Sequence, residues 1–545
     1  MVDHSVCEAS SGMELVFNID GRRSAREGVC NGMNGRLEIP EKAKLLRVPA
    51  IQHQAKTRLY VVRGDPWAYQ TAIHSSCICN ELQALSNRHL VETPPVDVRI
   101  WRRAAKKMQS QIRVPFMEKM PYMDIVKSYA GAKRRGYYLA LQQLYQEGLN
   151  DRDSRVQMFI KPDRHPLDII TEKHPRAIQY RSKKFNLAMA AYLKPFEEWF
   201  YVQPYGYSET RAVVKGLNPY ERAELFMEKV GCYTDPIYIE LDHKHFDSTI
   251  AVEHLKTTHK IYNKAFRSKQ LMRLLRKQLR NVGYTKGGIK YKVDGTRMSG
   301  DYDTGLGNSL VNLIALTALM DHYKIKKWDV ILDGDDSVII VEKRQLPVDF
   351  SATFLEKIGF RTKFIVKHSI NTVDFCQARL MRYPRPNFVR NPLRALAHSC
   401  TTVRPPVNGD RWLAGVAACE MALNVGVPVL QPFGISYYRP DYFLDQDMRA
   451  RMGSCKPMFQ EITDEARVEF YKCWGIMPCM QEAMELATTE PAFMPCAPTL
   501  LRVFRNGQLA SKSIRSRNSE GFWALPAGID EAWGAVSAER VHLLF

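Results

Sequence analysis

Two adjacent aspartates, Asp335 and Asp336, lie between two strand-forming runs of the sequence. Val330–Leu332 and Val338–Val341 are rich in β-branched residues, and the Asp-Gly-Asp stretch between them has the composition of a tight turn. The sequence therefore predicts a β-hairpin with acid at its tip. Neighbouring carboxylates repel each other unless a cation neutralises them, which favours a divalent metal. Taken alone, however, this segment favours an ordinary exposed acidic turn, because short motifs often match by chance.

The charge of the chain favours a polyanionic partner. Its 545 residues, 45% of them hydrophobic, are enough for roughly two to four subdomains. The 78 Lys and Arg against 58 Asp and Glu give a formal net charge of +20, so nucleic acid is the first expected partner. We find no signal peptide and no run of about 18 apolar residues, and we therefore expect a cytosolic protein without a transmembrane segment of its own.

Twelve cysteines without regular spacing favour reduced thiols over a disulfide framework. One cluster, His74, Cys77 and Cys79, has half of the ligands of a structural zinc site. The second pair of chelating residues is absent from the pattern, which favours buried thiols over a metal here.

Two basic regions predict contact with nucleic acid. The first is helical by pattern and alternates basic residues with tyrosines, as a surface that stacks bases and follows a backbone does; a solvated helix face is the alternative. Its central basic residues are Lys133, Arg134 and Arg135. The second has twelve basic residues and no acid between Glu253 and Asp294, which favours a nucleic-acid channel wall over the outer face of an amphipathic helix. It includes Arg273, Arg276 and Lys277.

A third basic group, Lys161, Arg176 and Arg181, lies on extended segments interrupted by proline. Extended chain presents successive long side chains toward one ligand. The pattern therefore predicts that these three residues bind a triphosphate, whose charge must be balanced from several directions.

Two further features are expected near the hairpin. A short buried strand over Ile237–Asp242 ends in acid, and Asp247 follows in the turn beyond it. A glycine-rich loop then runs from residue 295 to 308, before a predicted helix over Ser309–Met320. Small residues such as Gly300 allow a backbone to approach closely. Three side chains of the loop are suited to reading a sugar: Ser299, Thr304 and Asn308.

The acidic residues can form one metal centre. Asp242 converges with Asp335 and Asp336 if their strands are neighbours in an antiparallel sheet. Three such carboxylates suit two Mg²⁺ ions, because Mg²⁺ prefers a few carboxylates together with substrate phosphates.

The order of these motifs resembles motifs A, B and C of viral RNA-dependent RNA polymerases. The motifs are Asp242-x4-Asp247, Ser299-Gly300-x3-Thr304-x3-Asn308 and Gly334-Asp335-Asp336. The string from Met298 to Asn308 is similar to the tombusvirus-like branch of positive-strand RNA viruses, and so is Phe375-Cys376-Gln377. The resemblance covers roughly residues 115–435.

This resemblance implies an α+β, right-hand polymerase fold with fingers, palm and thumb, in which helices flank an antiparallel palm sheet. The implied divisions are an N-terminal extension of unknown role (1–75), fingers (76–235), palm with motif A (236–252), a basic fingers insertion (253–294), palm with motifs B to E (295–384), and thumb with the C-terminal region (385–545).

The resemblance also implies a role for each site residue. Asp242 and Asp335 would be the main metal ligands, with Asp336 assisting. Other residues would contact nucleotide or RNA: Asp247, Thr304 and Asn308 at the ribose 2′-hydroxyl, Ser299 beside the template and the incoming nucleotide, Gly300 at the RNA, and Lys161, Arg176 and Arg181 at the triphosphate. Two features would lie near the reaction centre: Phe375-Cys376-Gln377, as motif E at the primer terminus, and Lys363, as a general acid for pyrophosphate.

The implied function is replication of a positive-strand viral RNA genome by two-metal nucleotidyl transfer. The implied cofactor is Mg²⁺, as two ions, with Mn²⁺ as a substitute. The implied partners are template and nascent RNA, nucleoside triphosphates and, because family members often carry a membrane-anchored region, a membrane-anchored viral or host replication partner. We expect the host cytoplasm as location, with recruitment to membrane-associated complexes. A reverse transcriptase and an inactive RNA-binding relative are the alternatives.

Overall fold

A computed structural model of the chain describes residues 15–17, 24–32, 38–50, 57–63 and 68–489. Parts of the predicted extension over 1–75 and of the predicted region over 385–545 therefore lie outside the described residues. Helices and strands alternate irregularly, and the predicted α+β class is confirmed. No helix in these ranges is both long and apolar enough to cross a membrane.

The strands of the described residues are β1 Leu15–Phe17, β2 Ser24–Glu27, β3 Ala43–Arg47, β4 Arg58–Val61, β5 Thr71–Ala72, β6 Val156–Ile160, β7 His165–Pro166, β8 Ala177–Tyr180, β9 Pro236–His243, β10 Arg280–Thr285, β11 Lys290–Asp294, β12 Trp328–Asp333, β13 Asp336–Glu342, β14 Thr362–Lys367, β15 Ala378–Met381, β16 Asn387–Arg390 and β17 Thr401–Thr402.

The α-helices are α1 Ile78–Ala84, α2 Val98–Gln111, α3 Tyr122–Ser128, α4 Gly131–Glu147, α5 Lys183–Tyr201, α6 Pro219–Gly231, α7 Phe246–Thr249, α8 Val252–Phe266, α9 Lys269–Arg276, α10 Thr304–His322, α11 Pro392–Ser399, α12 Gly409–Leu423, α13 Leu430–Tyr437, α14 Gln446–Met452, α15 Asp464–Trp474 and α16 Pro478–Thr489. Short 3₁₀-helices cover Asp151–Ser154, Leu167–Glu172, Lys343–Gln345, Ala352–Lys357 and Ile370–Thr372, and a short π-helix covers Leu85–His89.

The described residues fall into two compact units. The first lies within Met1–Arg63, Gln70–Asn391 and Thr401–Gly409, and the second within Gly64–Tyr69, Pro392–Cys400 and Asp410–Phe545. The finer predicted division into fingers, palm and thumb stays a prediction.

The first unit contains a four-stranded antiparallel sheet with the order β12-β13-β9-β14. Alternate side chains of a strand point to opposite faces, and here both faces are covered. Ile239, Val330 and Ile339 belong to a core that includes residues of α2, α8 and α10. Tyr238 and Ile340 belong to a second core on the other face, which includes residues of α6. Burial on both faces explains why these strands read as continuous apolar runs rather than as alternating ones.

A five-stranded sheet of the same unit has the order β3-β11-β10-β6-β8. Tyr291 and Met298 belong to its buried core. Strand β6 ends just before Lys161 and β8 begins just after Arg176, at the same edge of the sheet.

The second unit is helical in its described part. Its core includes Trp412, Phe433 and Phe470. Glu420 is fully buried there and accepts hydrogen bonds from Arg451 (2.5 Å) and Asn424 (2.8 Å), which offset the cost of burying its charge.

Candidate active site

The predicted hairpin is present as β12 and β13, and its loop has two residues. Asp333 pairs with Asp336, so Gly334 and Asp335 form the loop. Gly334 has φ +76°, and an added Cβ there would meet only Asn308 Cβ at 4.0 Å. Glycine is therefore required at this position by backbone conformation rather than by space.

The sheet register brings the second acidic strand beside this loop. Ser337 of β13 pairs with Leu241 of β9, so continuing the antiparallel register by one residue sets Asp336 opposite Asp242. Lys363 of β14 pairs with Asp242 from the other side. Asp242, Asp335 and Asp336 are all exposed. The structure thus places the three predicted metal ligands at one edge of one sheet.

Helix α10 holds the hairpin loop from below. Ser309 Oγ accepts a hydrogen bond from the Gly334 N–H at 3.1 Å, and Asn312 Nδ2 donates to the carbonyls of Gly334 (3.1 Å) and Asp335 (3.0 Å). Asn312 Oδ1 is then left to accept from Nε2 of buried His243 at 3.2 Å. Burial lowers the pKa of His243, so this ring is a neutral support for the loop.

The three aspartates of the hairpin tip differ in their charge partners. Asp333 forms ion pairs with Lys215 and with Arg222, the latter at 2.8 Å. Asp335 and Asp336 have no basic partner within 4 Å among the described residues. Partial desolvation, followed by the charges of Asp335, Asp333 and Asp242, raises the pKa of Asp336 to about 6. A divalent cation bound by these carboxylates would neutralise their uncompensated negative charge.

The part of the chain that the structure describes contains no preformed metal cage. Among the described residues, no group of three or more His, Cys, Asp or Glu side chains is spaced to hold one ion. That absence extends to His74, Cys77 and Cys79, although Cys77 Sγ lies 3.4 Å from Cys30 Sγ in a buried thiol cluster. For the aspartates the result is compatible with Mg²⁺, which takes most of its ligands from water and substrate phosphates.

Asp247 is linked to α10 by a short hydrogen bond. Asn308 Nδ2 donates to Asp247 Oδ1 at 2.7 Å, and Arg297 Nε donates to Asn308 Oδ1 at 3.3 Å. The Arg297 N–H also donates to the Asp247 carbonyl at 2.8 Å. Burial raises the pKa of Asp247 to about 6, while Asn308 opposes that rise. Two of the three predicted ribose-reading residues, Asp247 and Asn308, are thus brought together.

Arg297 is anchored in turn by a buried ion pair. Its Nη1 donates to Asp303 Oδ2 at 2.6 Å, and both side chains are almost completely buried. Gln278 Nε2 donates to Asp303 at 2.8 Å and to Asp301 at 3.1 Å. A rigid polar network therefore supports Asn308 from within the core.

The predicted glycine-rich loop is shorter than expected. Helix α10 begins at Thr304, five residues before the predicted start. Asn308 and Ser309 are polar, but both are buried and hydrogen-bonded, so the apolar helix can extend through them toward its N-terminus. Thr304 Oγ1 donates to the carbonyls of Met298 (2.8 Å) and Asp301 (2.9 Å), so its hydroxyl fastens the loop. Asp247 likewise lies in the short helix α7 rather than in a turn.

Ser299 and Gly300 lie against the end of β8. Ser299 Oγ accepts from the Gln179 N–H at 3.1 Å, and the Gly300 N–H donates to the Gln179 carbonyl at 2.6 Å. A Cβ at Gly300 would lie 2.7 Å from that carbonyl oxygen and from Tyr180 Cβ. Close approach of two backbones, here within the protein, is what this glycine allows.

The three predicted triphosphate ligands separate into two groups. Lys161 and Arg176 approach Asp163 at 3.0 Å and 3.4 Å and remain partly exposed. Arg176 also interacts electrostatically with Asp247, which places this pair near the ribose-reading residues. Arg181 is only 1% exposed in its side chain and is ion-paired with Asp301 at 2.9 Å. Its position is that of a structural support of the loop.

The predicted RNA-binding residues lie on two exposed helix faces. Lys133, Arg134 and Arg135 are exposed at the start of α4, where Lys133 Nζ lies 4.1 Å from the centroid of the Tyr129 ring. Arg273, Arg276 and Lys277 are exposed around the end of α9, whose leucines are buried.

Motif E contacts the hairpin directly. Phe375 is buried in the core that includes residues of α6, and the Cys376 thiol hydrogen-bonds to Asp336. Cys376 and Gln377 both have positive φ, 52° and 62°, in the tight turn before β15. This strained turn places the thiol against the carboxylate.

Sequence reasoning missed Arg297, Asp303, Asn312 and the pair of Lys215 and Arg222. A signal was present for the first two, because a charged pair six residues apart flanks the Ser299-Gly300 motif. The others lie on elements distant in sequence from the residues they support, and only the fold reveals them.

Comparison with known proteins agrees with this geometry. The family described as viral RNA dependent RNA polymerase matches residues 47–491. The RNA-directed RNA polymerase of Groundnut rosette virus (strain MC1) is 29% identical over 391 residues, covering 66% of this chain and 45% of that protein. Those of Cucumber necrosis virus and Tomato bushy stunt virus (strain Cherry) are each 27% identical, covering 81% of this chain and 57% of each relative. The chain spans about half the length of the curated relatives it matches, and the predicted resemblance to the tombusvirus-like group is confirmed.

Proposed function

This chain belongs to the family of viral RNA-dependent RNA polymerases, and from that premise we propose that it copies RNA, transferring nucleotides from ribonucleoside triphosphates to an RNA 3′-hydroxyl on an RNA template. The process served would be replication of a positive-strand viral RNA genome. The observation that carries the proposal is the sheet register that sets Asp242, Asp335 and Asp336 at one edge, beside the joined pair of Asp247 and Asn308.

The proposed architecture is a right hand. The sheet β12-β13-β9-β14 is its palm, residues 76–235 and 253–294 form the fingers, and the region from 385 onward contains the thumb. Support comes from the family match together with the antiparallel order of the sheet.

Each site residue has a proposed task that follows from its position. Asp242 and Asp335 would bind the metal ions and Asp336 would assist. The chemistry expected from two bound Mg²⁺ ions, or from Mn²⁺ in their place, is activation of the 3′-hydroxyl and neutralisation of the leaving pyrophosphate. Lys161 and Arg176 bind the triphosphate.

Two further tasks concern the sugar and the leaving group. Asn308 and Asp247 present an amide and a carboxylate that can hydrogen-bond a ribose 2′-hydroxyl. Lys363 would give a proton to pyrophosphate, a role supported by its exposed position opposite Asp242 in the sheet register.

An incorporation assay tests this function. Purified protein with Mg²⁺, an RNA template and labelled ribonucleotides should extend RNA, and Asp335→Ala should reduce extension to background while RNA binding is largely retained. Asp349→Ala is the matched control, because Asp349 is an exposed acid seven residues beyond the end of β13. Equal extension by wild type and Asp335→Ala would disprove the metal assignment, and a strong preference for deoxynucleotides would identify a reverse transcriptase.

The proposed setting is the host cytoplasm, in a membrane-associated complex to which a membrane-anchored viral or host partner recruits the chain. This part rests on the family resemblance alone. Fractionation of infected cells tests it, since the chain should sediment with membranes only when the partner is present.

A further inference from the structure

A basic groove, here called the α2–α8 groove, lies between the two helices for which it is named. Its cavity volume is about 290 Å³. Four cationic side chains line it: Arg102, Lys106, Lys260 and Lys264. The apolar part of its lining is Ala105 and Ile261, both buried in the core of the first unit.

Local packing explains why the groove is open. Trp101 Nε1 donates to Thr257 Oγ1 at 2.9 Å and joins the two helices along their buried side. Ala105 is too small to fill the space above that contact. Lys264 Nζ hydrogen-bonds Gln109 Oε1 across the groove, so both walls are fixed to each other.

No acidic side chain of the described residues neutralises the cations of the groove. Arg103 and Lys107, the next residues along α2, form ion pairs with Asp321 at 3.0 Å and 2.5 Å. In contrast, Arg102, Lys106 and Lys260 are exposed and have no acidic partner within 4 Å in the described part of the chain. Unscreened like charges at this spacing repel one another, so an anionic ligand there would be favourable.

The groove is separate from the acidic hairpin. Asp321, which pairs with Arg103 and Lys107, lies 13 residues beyond Asn308 along α10, or roughly 20 Å at the rise of an α-helix. A ligand in the groove therefore does not touch the residues proposed to bind nucleotide.

We propose that the α2–α8 groove is a second RNA-binding site, which holds phosphodiester groups of an RNA strand through Arg102, Lys106, Lys260 and Lys264. On each helix the basic residues recur every four positions, about one per turn, so that each wall presents a row of charges to an extended backbone. A membrane surface fits less well, because no large exposed apolar side chain lines the groove to insert among lipids. The proposal goes beyond the proposed function and rests on it only in naming RNA as the polyanion.

Binding of two RNAs to the full chain tests the proposal. A single strand of about 8 nucleotides occupies one site, whereas one of about 40 can also reach a second, judged from typical site sizes. Arg102→Gln/Lys106→Gln should weaken binding of the long RNA several-fold and reduce the slope of log K against log salt by about 1.4, which is about 0.7 for each lost phosphate contact. Binding of the short RNA and nucleotide incorporation on a short template should not change.

Arg103→Gln/Lys107→Gln is the matched control, because it removes the same charge from the paired side of α2. It should leave both affinities and the salt slope unchanged. The proposal would be overturned by an unchanged salt slope in the groove variant, or by a control variant that loses as much affinity for the long RNA as the groove variant does. So would a groove variant that binds RNA normally but loses binding to vesicles of phosphatidylcholine and phosphatidylserine. Failure of wild type to incorporate nucleotides would count against the proposed function and leave this comparison valid.

Discussion

Asn308 donates a hydrogen bond from Nδ2 to Oδ1 of Asp247 at 2.7 Å, and this contact joins the start of α10 to the segment after β9. Both residues are held from behind by Arg297, through the Asn308 side chain and the Asp247 carbonyl. The pair therefore acts as one preorganised unit. A 2′-hydroxyl that meets it finds a carboxylate and an amide already fixed in direction.

Asn308→Ala should reduce the preference for ribonucleotides over deoxyribonucleotides. Loss of one fixed hydrogen-bonding group costs roughly 1–2 kcal/mol, so the ratio of incorporation rates should fall by about 5- to 30-fold. Asn308→Asp should be more damaging to overall activity, since it sets a second carboxylate against Asp247. Single-nucleotide incorporation kinetics with each sugar measure this. Loss of both activities in equal proportion would contradict a role in reading the sugar.

Gly307→Ala and Gly305→Ala should differ although both lie in the first turns of α10. A Cβ at Gly307 would lie 2.2 Å from Nη2 of buried Arg297, which cannot move without breaking its ion pair. A Cβ at Gly305 meets Cε of Lys215 at 2.9 Å, and this long, partly exposed side chain can shift while its ammonium group stays beside Asp333. We expect Gly307→Ala to cost about 1–3 kcal/mol of unfolding free energy and Gly305→Ala to be within about 1 kcal/mol of wild type.

Denaturant unfolding of the two glycine variants provides the measurement. Because alanine raises helix propensity equally at both positions, the difference between them isolates the contact with Arg297. Similar midpoints for the two variants would show that the guanidinium moves aside freely.

The sequence predicted the elements whose pattern is local. Strands β12 and β13 and the acid at the end of β9 were recognisable because β-branched runs and a turn sequence are written in consecutive residues. The position of Arg181 could not be predicted from the sequence. Its basic neighbours suggested that it binds phosphate, but its actual partner, Asp301, lies 120 residues away. Charge patterns report which residues carry charge, but the partner of each charge depends on the tertiary fold.

Gly334→Ala should destabilise the hairpin tip through backbone strain alone. Its φ of +76° is costly for a residue with a Cβ, by roughly 1–2 kcal/mol, although the space beside it is open. Gly334→Asn should be better tolerated, because asparagine visits this region more readily. Midpoints of thermal unfolding test the order glycine, asparagine, alanine. A more stable alanine variant would contradict the assigned strain.

Arg297→Gln and Asp303→Asn should each lower the free energy of unfolding strongly. The double variant should lose less unfolding free energy than the sum of the two single losses. Removing one partner of a fully buried ion pair leaves an uncompensated charge, which costs about 3–5 kcal/mol. The double variant removes both charges and should recover part of that loss, giving a coupling of roughly 1–3 kcal/mol in a double-mutant cycle. Sugar selectivity should not recover, since Asn308 has still lost Arg297. Simple additivity of the two single effects would contradict the pairing.

His254→Gln should flatten the loss of stability in acid. The His254 ring is fully buried; its Nδ1 accepts from the Ala251 N–H at 3.0 Å, and its Nε2 donates to the Ile358 carbonyl at 2.9 Å. Burial lowers the pKa of His254 from 6.5 to about 4, so between these values the unfolded chain binds a proton that the folded chain does not. Folding stability is therefore lost as pH falls through this window, by roughly 2 kcal/mol between pH 7 and pH 5 for this residue. Urea midpoints at the two pH values should differ less for His254→Gln than for wild type. The control is His368→Gln at an exposed position, which should show the same difference as wild type. An unchanged difference in His254→Gln would show that His254 does not contribute to the acid sensitivity.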